Sequence, residues 1–156
     1  MNKHIIIVFI LLFFTVFCFA QNSEELYLGL ESLNNKLCIY LPCDNFNQKN
    51  ILFNNNEVIL KIGEEEIYTI TDTKNNKNSV TYTIENEFQK GKLSKKEINH
   101  ETLFYIELPN SSFYLLTTSD TTTEKYPIVK NDCEAKLEEL TFDEIDYSKL
   151  WNLNQN

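Results

Sequence analysis

Arginine is missing from this chain: all 14 cationic side chains are lysines. The planar fork that grips phosphate or carboxylate bidentately is therefore unavailable. Histidine occurs twice, as His4 and His100. A zinc site built from several histidines is excluded, and any Ser-His-Asp or Cys-His machinery would have to centre on His100. That residue stands in the polar stretch Asn99-His100-Glu101 and reads as a surface histidine. The three glycines, Gly29, Gly63 and Gly91, are isolated from one another, so no glycine-rich cradle for a nucleotide phosphate exists. Asp72–Asn78, expected to be a long exposed tip, is rich in side-chain oxygen but lacks the central glycine and closing glutamate of a calcium loop. Glu64-Glu65-Glu66 reads as a charged turn. No cofactor is implied, and the chain is expected not to be an enzyme.

Acids outnumber bases 23 to 14, for a formal charge of −9. Such a chain repels nucleic-acid backbones, so nucleic acid is not expected as a partner. Long apolar runs are confined to the N-terminus. Lys3 is followed by the apolar stretch Ile5–Phe17, then Cys18-Phe19-Ala20 and the polar Gln21-Asn22-Ser23. This is the layout of a cleavable secretory signal, with cleavage expected after Ala20. The run is short of the roughly 20 residues a spanning helix requires. Lipid attachment at Cys18 is the less favoured alternative, since Phe17 is bulky where such a site takes a small residue. Residues 1–20 are thus read as a signal peptide and 21–156 as one secreted or periplasmic domain, without a stable membrane span.

What is abundant is strand pattern. Val58–Ile62, Ile67–Thr71, Val80–Ile84, Leu103–Ile106 and Phe113–Leu116 alternate apolar with polar residues and are separated by Asn, Lys, Gly, Pro and Ser. Leu26, Leu28 and Leu30 suggest an earlier strand, and Leu37–Leu41 another, ended by Pro42. Asn54-Asn55-Asn56 and Pro109-Asn110 are expected to be tight turns. Gln89–Lys92 is read as closing the strand begun near Val80, and Leu93–Asn99 as a loop or single helical turn. After Asp120 an edge strand at Tyr126–Val129 is expected, then a short helix from Asp132 to Leu140. A second helix opens at the capping box Thr141-Phe142-Asp143-Glu144 and runs toward Trp151. The fold class is mainly β: an antiparallel sandwich or small barrel of seven to eight strands with one or two short C-terminal helices.

Three cysteines follow the leader. An extended chain would put the Cα atoms of Cys38 and Cys43 roughly 16 Å apart, beyond the about 7 Å a disulfide tolerates. The expected bridge is Cys43–Cys133, leaving Cys38 as a small buried hydrophobe. Tyr105 and Tyr114 alternate against their apolar neighbours and should point away from the main core. They would either pack under the C-terminal helices or form an exposed binding face. The chain therefore reads as an exported, non-catalytic binding protein for a small apolar ligand or a protein. The alternative is an acidic inhibitor or immunity-type protein that neutralises a basic toxin or hydrolase through its acidic C-terminal face.

Overall fold

The computed structural model describes residues 24–43, 48–131 and 140–152. The strands are β1 (Glu25–Leu33), β2 (Lys36–Leu41), β3 (Asn50–Asn54), β4 (Glu57–Ile62), β5 (Glu64–Asn76), β6 (Ser79–Glu85), β7 (Lys90–Ile98), β8 (Glu101–Leu108), β9 (Ser111–Ser119) and β10 (Ile128–Lys130). Among the described residues a 3-10 helix spans Asp120–Lys125 and an α-helix, α1, spans Tyr147–Asn152. Strands β1 and β3 to β9 close into an antiparallel barrel, because β9 returns to pair with β1 at Tyr27–Ser119, Leu28–Thr118 and Gly29–Thr117. The expected mainly-β class is therefore observed, in its barrel form.

Strands β2 and β10 stand outside the ring. The second half of β1, Leu30–Leu33, pairs with β2, and β2 takes β10 in parallel. That parallel pair departs from the all-antiparallel expectation. β10 follows the 3-10 helix and Pro127 instead of a hairpin turn, so the chain arrives in the other direction.

Asparagine supplies the left-handed turn positions that scarce glycine leaves open. Asn34 and Asn35 (φ 53° and 59°) reverse the chain between β1 and β2, Asn55 (φ 55°) between β3 and β4, and Asn99 (φ 58°) between β7 and β8. Its short polar side chain makes asparagine one of the few residues that visit this region readily.

Alternation then builds two cores. Tyr27, Ile51, Val58, Leu60, Tyr68, Ile84, Leu93, Phe104, Ile106 and Leu115, contributed by all eight barrel strands, meet in one buried cluster. Tyr27 and Phe104 in it pack with the partly buried Phe53 and Tyr82 in edge-on, tilted and stacked pairs, with centroids 5.1–6.1 Å apart. The second core lies on the outer face of β1, β8 and β9, where Leu30, Leu103 and Leu116 pack with Ile39 and Ile98. Tyr126, Ile145, Leu150 and Trp151 lie over that cluster.

Three local expectations are corrected. Leu93–Asn99 is neither a loop nor a helical turn but most of β7, and β6 ends at Glu85, before Gln89–Lys92. In β7 only Leu93 and Ile98 are apolar beyond Gly91; an odd spacing puts one in each core, so no single-face period shows. Asp72–Asn78 is exposed as expected, yet Asp72–Asn76 extends β5 past an irregularity between Ile70 and Asp72, leaving Lys77-Asn78 as the tip. The Thr141 box does not open a helix. Asp143 is instead fastened to the β1–β2 turn: its N–H donates to Ser32 O at 2.8 Å, and its Oδ2 accepts from Asn35 N at 2.7 Å and Ser32 Oγ at 3.1 Å. The chain turns helical only at Tyr147, where Asp146 Oδ1 accepts from Lys149 N at 3.0 Å. The helix expected over 132–140 lies almost wholly outside the described residues.

Candidate protein-binding face

The residues singled out in the sequence scatter. Tyr105 and Tyr114 are direct cross-strand partners on the outer face, with ring centroids 4.7 Å apart. Trp151 lies 6.1 Å from Tyr105 and 5.8 Å from Tyr114, and Tyr147 stacks on Tyr114 at 6.1 Å. Beneath Trp151 the buried Lys96 donates to Trp151 O, and its ammonium sits 5.7 Å from the ring centroid. This aromatic group is therefore engaged by α1. His100 is exposed in the β7–β8 turn. Cys38 is buried with a free thiol, whose pKa burial pushes up. Cys133, and with it the Cys43 pairing, lies outside the described residues.

A different group converges at one end of the barrel, where the β4–β5 and β6–β7 turns meet. Gly63 alone makes the first reversal, since Ile62 pairs directly with Glu64; its φ of 99° is a conformation that a Cβ would strain. Glu64, Glu65 and Glu66 therefore belong to β5 and are exposed, not confined to a turn. The second reversal, Asn86–Gln89, is locked by the Asn86 side chain. Asn86 Oδ1 accepts from Phe88 N and Gln89 N, both at 3.0 Å, and Asn86 N donates to Gln89 O at 3.0 Å. Phe88 is consequently held out into solvent, 89% exposed.

A polar clasp ties the two turns together. The Tyr68 hydroxyl donates to Glu66 Oε2, while Gln89 Nε2 donates to the Tyr68 oxygen at 2.7 Å and to Glu66 Oε2 at 3.2 Å. Burial, reinforced by the Glu66 carboxylate, holds the Tyr68 pKa well above its ordinary value, so the hydroxyl stays a donor. Between the turns lies a cleft of about 570 Å³ lined by Glu64, Glu65, Glu66, Ile67, Glu87 and Phe88, among others, with no lysine in its lining.

Ile67, 51% exposed, continues this apolar surface around the barrel. It pairs with Ile59, Ile59 with Leu52, and Leu52 with Leu26. These four residues form one row across β5, β4, β3 and β1, and none belongs to either core. Rows of Asn54, Glu57 and Thr69 on one side and Asn50, Lys61 and Glu65 on the other border it. An apolar centre with a polar rim, which here carries Glu57 and Glu65 against Lys61, has the anatomy of a protein interface.

The opposite mouth of the barrel differs in kind. Lys95 donates there to the Tyr27 hydroxyl, lies 3.6 Å from Glu25 and 3.5 Å from Glu97, and covers the Tyr27 ring at 4.6 Å. Its charged groups satisfy one another and plug the end. In comparisons with protein-family models, curated proteins and solved structures, nothing matches this chain.

Phe88 was not singled out in the sequence. Its signal was a lone aromatic in the polar run Glu85-Asn86-Glu87-Phe88-Gln89-Lys90, between two strand patterns, where burial cannot account for an aromatic. The Ile67 row offered no signal, because its outward position depends on a register that joins four strands.

Proposed function

We propose that this chain is an exported, non-catalytic binding protein that takes a basic amphipathic segment of another protein on its outer surface. The observation that carries the reading is Phe88, fully presented by a hydrogen-bonded turn beside Ile67 and four glutamates. Aromatics held rigidly at a surface supply large contact area at low ordering cost, and dominate interfaces where they occur. The row from Ile67 to Leu26 crosses strands at about 4.8 Å spacing. Anchors at i, i+3, i+4 and i+7 of a helix recur at about 5–6 Å, so an amphipathic helix laid across the strands meets the row in step. The bordering glutamates favour lysine or arginine on that helix.

An apolar ligand inside the barrel is the weaker reading, since ten side chains already meet there in a cluster no more than 5% exposed. The inhibitor reading shares the same surface. A basic toxin or hydrolase would be steered to this acidic end, whereas most of the acidic C-terminal stretch lies outside the described residues. The test is titration of the folded chain with a labelled Lys/Leu amphipathic helical peptide and with its Glu/Leu counterpart. Preferential binding of the basic peptide, weakened about tenfold or more by Ile67→Ser/Phe88→Ser, supports the proposal. Equal binding to wild type and double variant overturns it.

A further inference from the structure

We propose that Asn110 is an acceptor for an N-linked glycan; this rests on the export reading but not on the binding face. Asn110-Ser111-Ser112 is the chain's single Asn-x-Ser/Thr sequence, although asparagine is abundant throughout. The fold places it where a bulky group can be carried. Leu108 pairs with Ser111, so Pro109 and Asn110 are the two residues of the β8–β9 turn. Pro109, Asn110, Ser111 and Ser112 are all exposed.

In the transfer, the Asn110 amide nitrogen attacks the anomeric carbon of a lipid-linked oligosaccharyl diphosphate. The new N–C bond forms as the C–O bond to the diphosphate breaks, the lipid diphosphate departs, and the amide proton passes to a base of the transferase. The Ser112 hydroxyl, two residues on, completes the sequence the transferase requires and takes no sugar itself. A glycan here would extend from the same end of the barrel as the β6–β7 turn, one hairpin further around the ring.

The full chain, leader included, is expressed in a eukaryotic secretory host, and medium and cell fractions are treated with a glycosidase that leaves aspartate where the sugar was attached. The expected result is secreted protein with one glycan and aspartate found at position 110. Asn110→Gln and Ser112→Ala should abolish the shift, while Ser112→Thr retains it, which separates loss of acceptor from loss of folding. Secreted protein without a glycan overturns the assignment while leaving export intact. Protein confined to the cytosol overturns both.

Discussion

Residue by residue, some aromatic side chains hold the fold and others are offered outward. Phe104 is fully buried among Tyr27 and Phe53, and Phe88 touches mainly solvent. Phe104→Ala should cost about 3–5 kcal/mol through lost burial and the cavity left behind. Phe88→Ser should move stability by no more than about 0.5 kcal/mol. Urea midpoints on the two variants check the contrast; similar losses in both would mean that Phe88 is structural. Gly91 supplies a second residue-scale test. A Cβ there would meet Glu107 O at 2.6 Å and Leu108 Cδ2 at 2.7 Å, so the β7–β8 pair closes only on glycine. Gly91→Ala is expected to destabilise by about 1–3 kcal/mol through forced displacement of backbone.

Among the elements, α1 depends most plainly on its surroundings. It is six residues long, far too short to persist alone. Its hold comes from Trp151 and Tyr147 on the Tyr105–Tyr114 pair and from the Asp146 cap. Hydrogen bonds from Lys149 N and Ser148 Oγ hold the Asp146 carboxyl below its ordinary value. A depressed carboxylate contributes stability that is present above its unfolded pKa and lost as pH falls through the folded one. The fluorescence of Trp151, the chain's one tryptophan, should therefore report loosening of α1 at acid pH below the ordinary carboxylate range. Asp146→Ala should show the loosened signal at neutral pH already. A Trp151 signal that follows only global unfolding in both proteins would contradict this.

How much of these elements the sequence disclosed follows from their periods. β4, β6, β8 and β9 carry alternating apolar residues and are legible. β7 is not, because Leu93 serves one core and Ile98 the other, while Lys95 plugs a mouth and Lys96 lies under Trp151. Both strands of the β1–β2 hairpin were legible, but not the turn that joins them, since Asn34-Asn35 does in left-handed backbone what glycine usually signals. The capping box at Thr141 misled because local spacing cannot reveal that Asp143 is claimed by a turn over a hundred residues earlier. Of the candidate site, the glutamates were visible, but their company with Phe88 and Ile67 is a product of barrel closure.

Across the whole molecule, both ends of the barrel are tied by tyrosine–carboxylate clasps, Tyr68 to Glu66 at one and Tyr27 to Glu25 at the other, and the scaffold is proposed to be exported. Export also predicts the state of the thiols. Peptide mapping without reduction should recover Cys43 joined to Cys133, and closure of so long a loop adds about 4–5 kcal/mol on the chain-entropy view. Cys38, 2% exposed and with its thiol pKa raised by burial, should resist alkylation until the protein unfolds. Free alkylation of Cys43 in the secreted protein would refute the bridge.

The outer face around Phe88 and Ile67, not the barrel interior, is proposed to hold the partner. The most direct test is capture from the native exported fraction with wild-type chain and with the Ile67→Ser/Phe88→Ser variant, each at low and high salt. The account predicts one basic protein that is retained by the wild type, released as salt rises, and absent from the folded variant. Retention of the same partner by both chains, indifferent to salt, would contradict it.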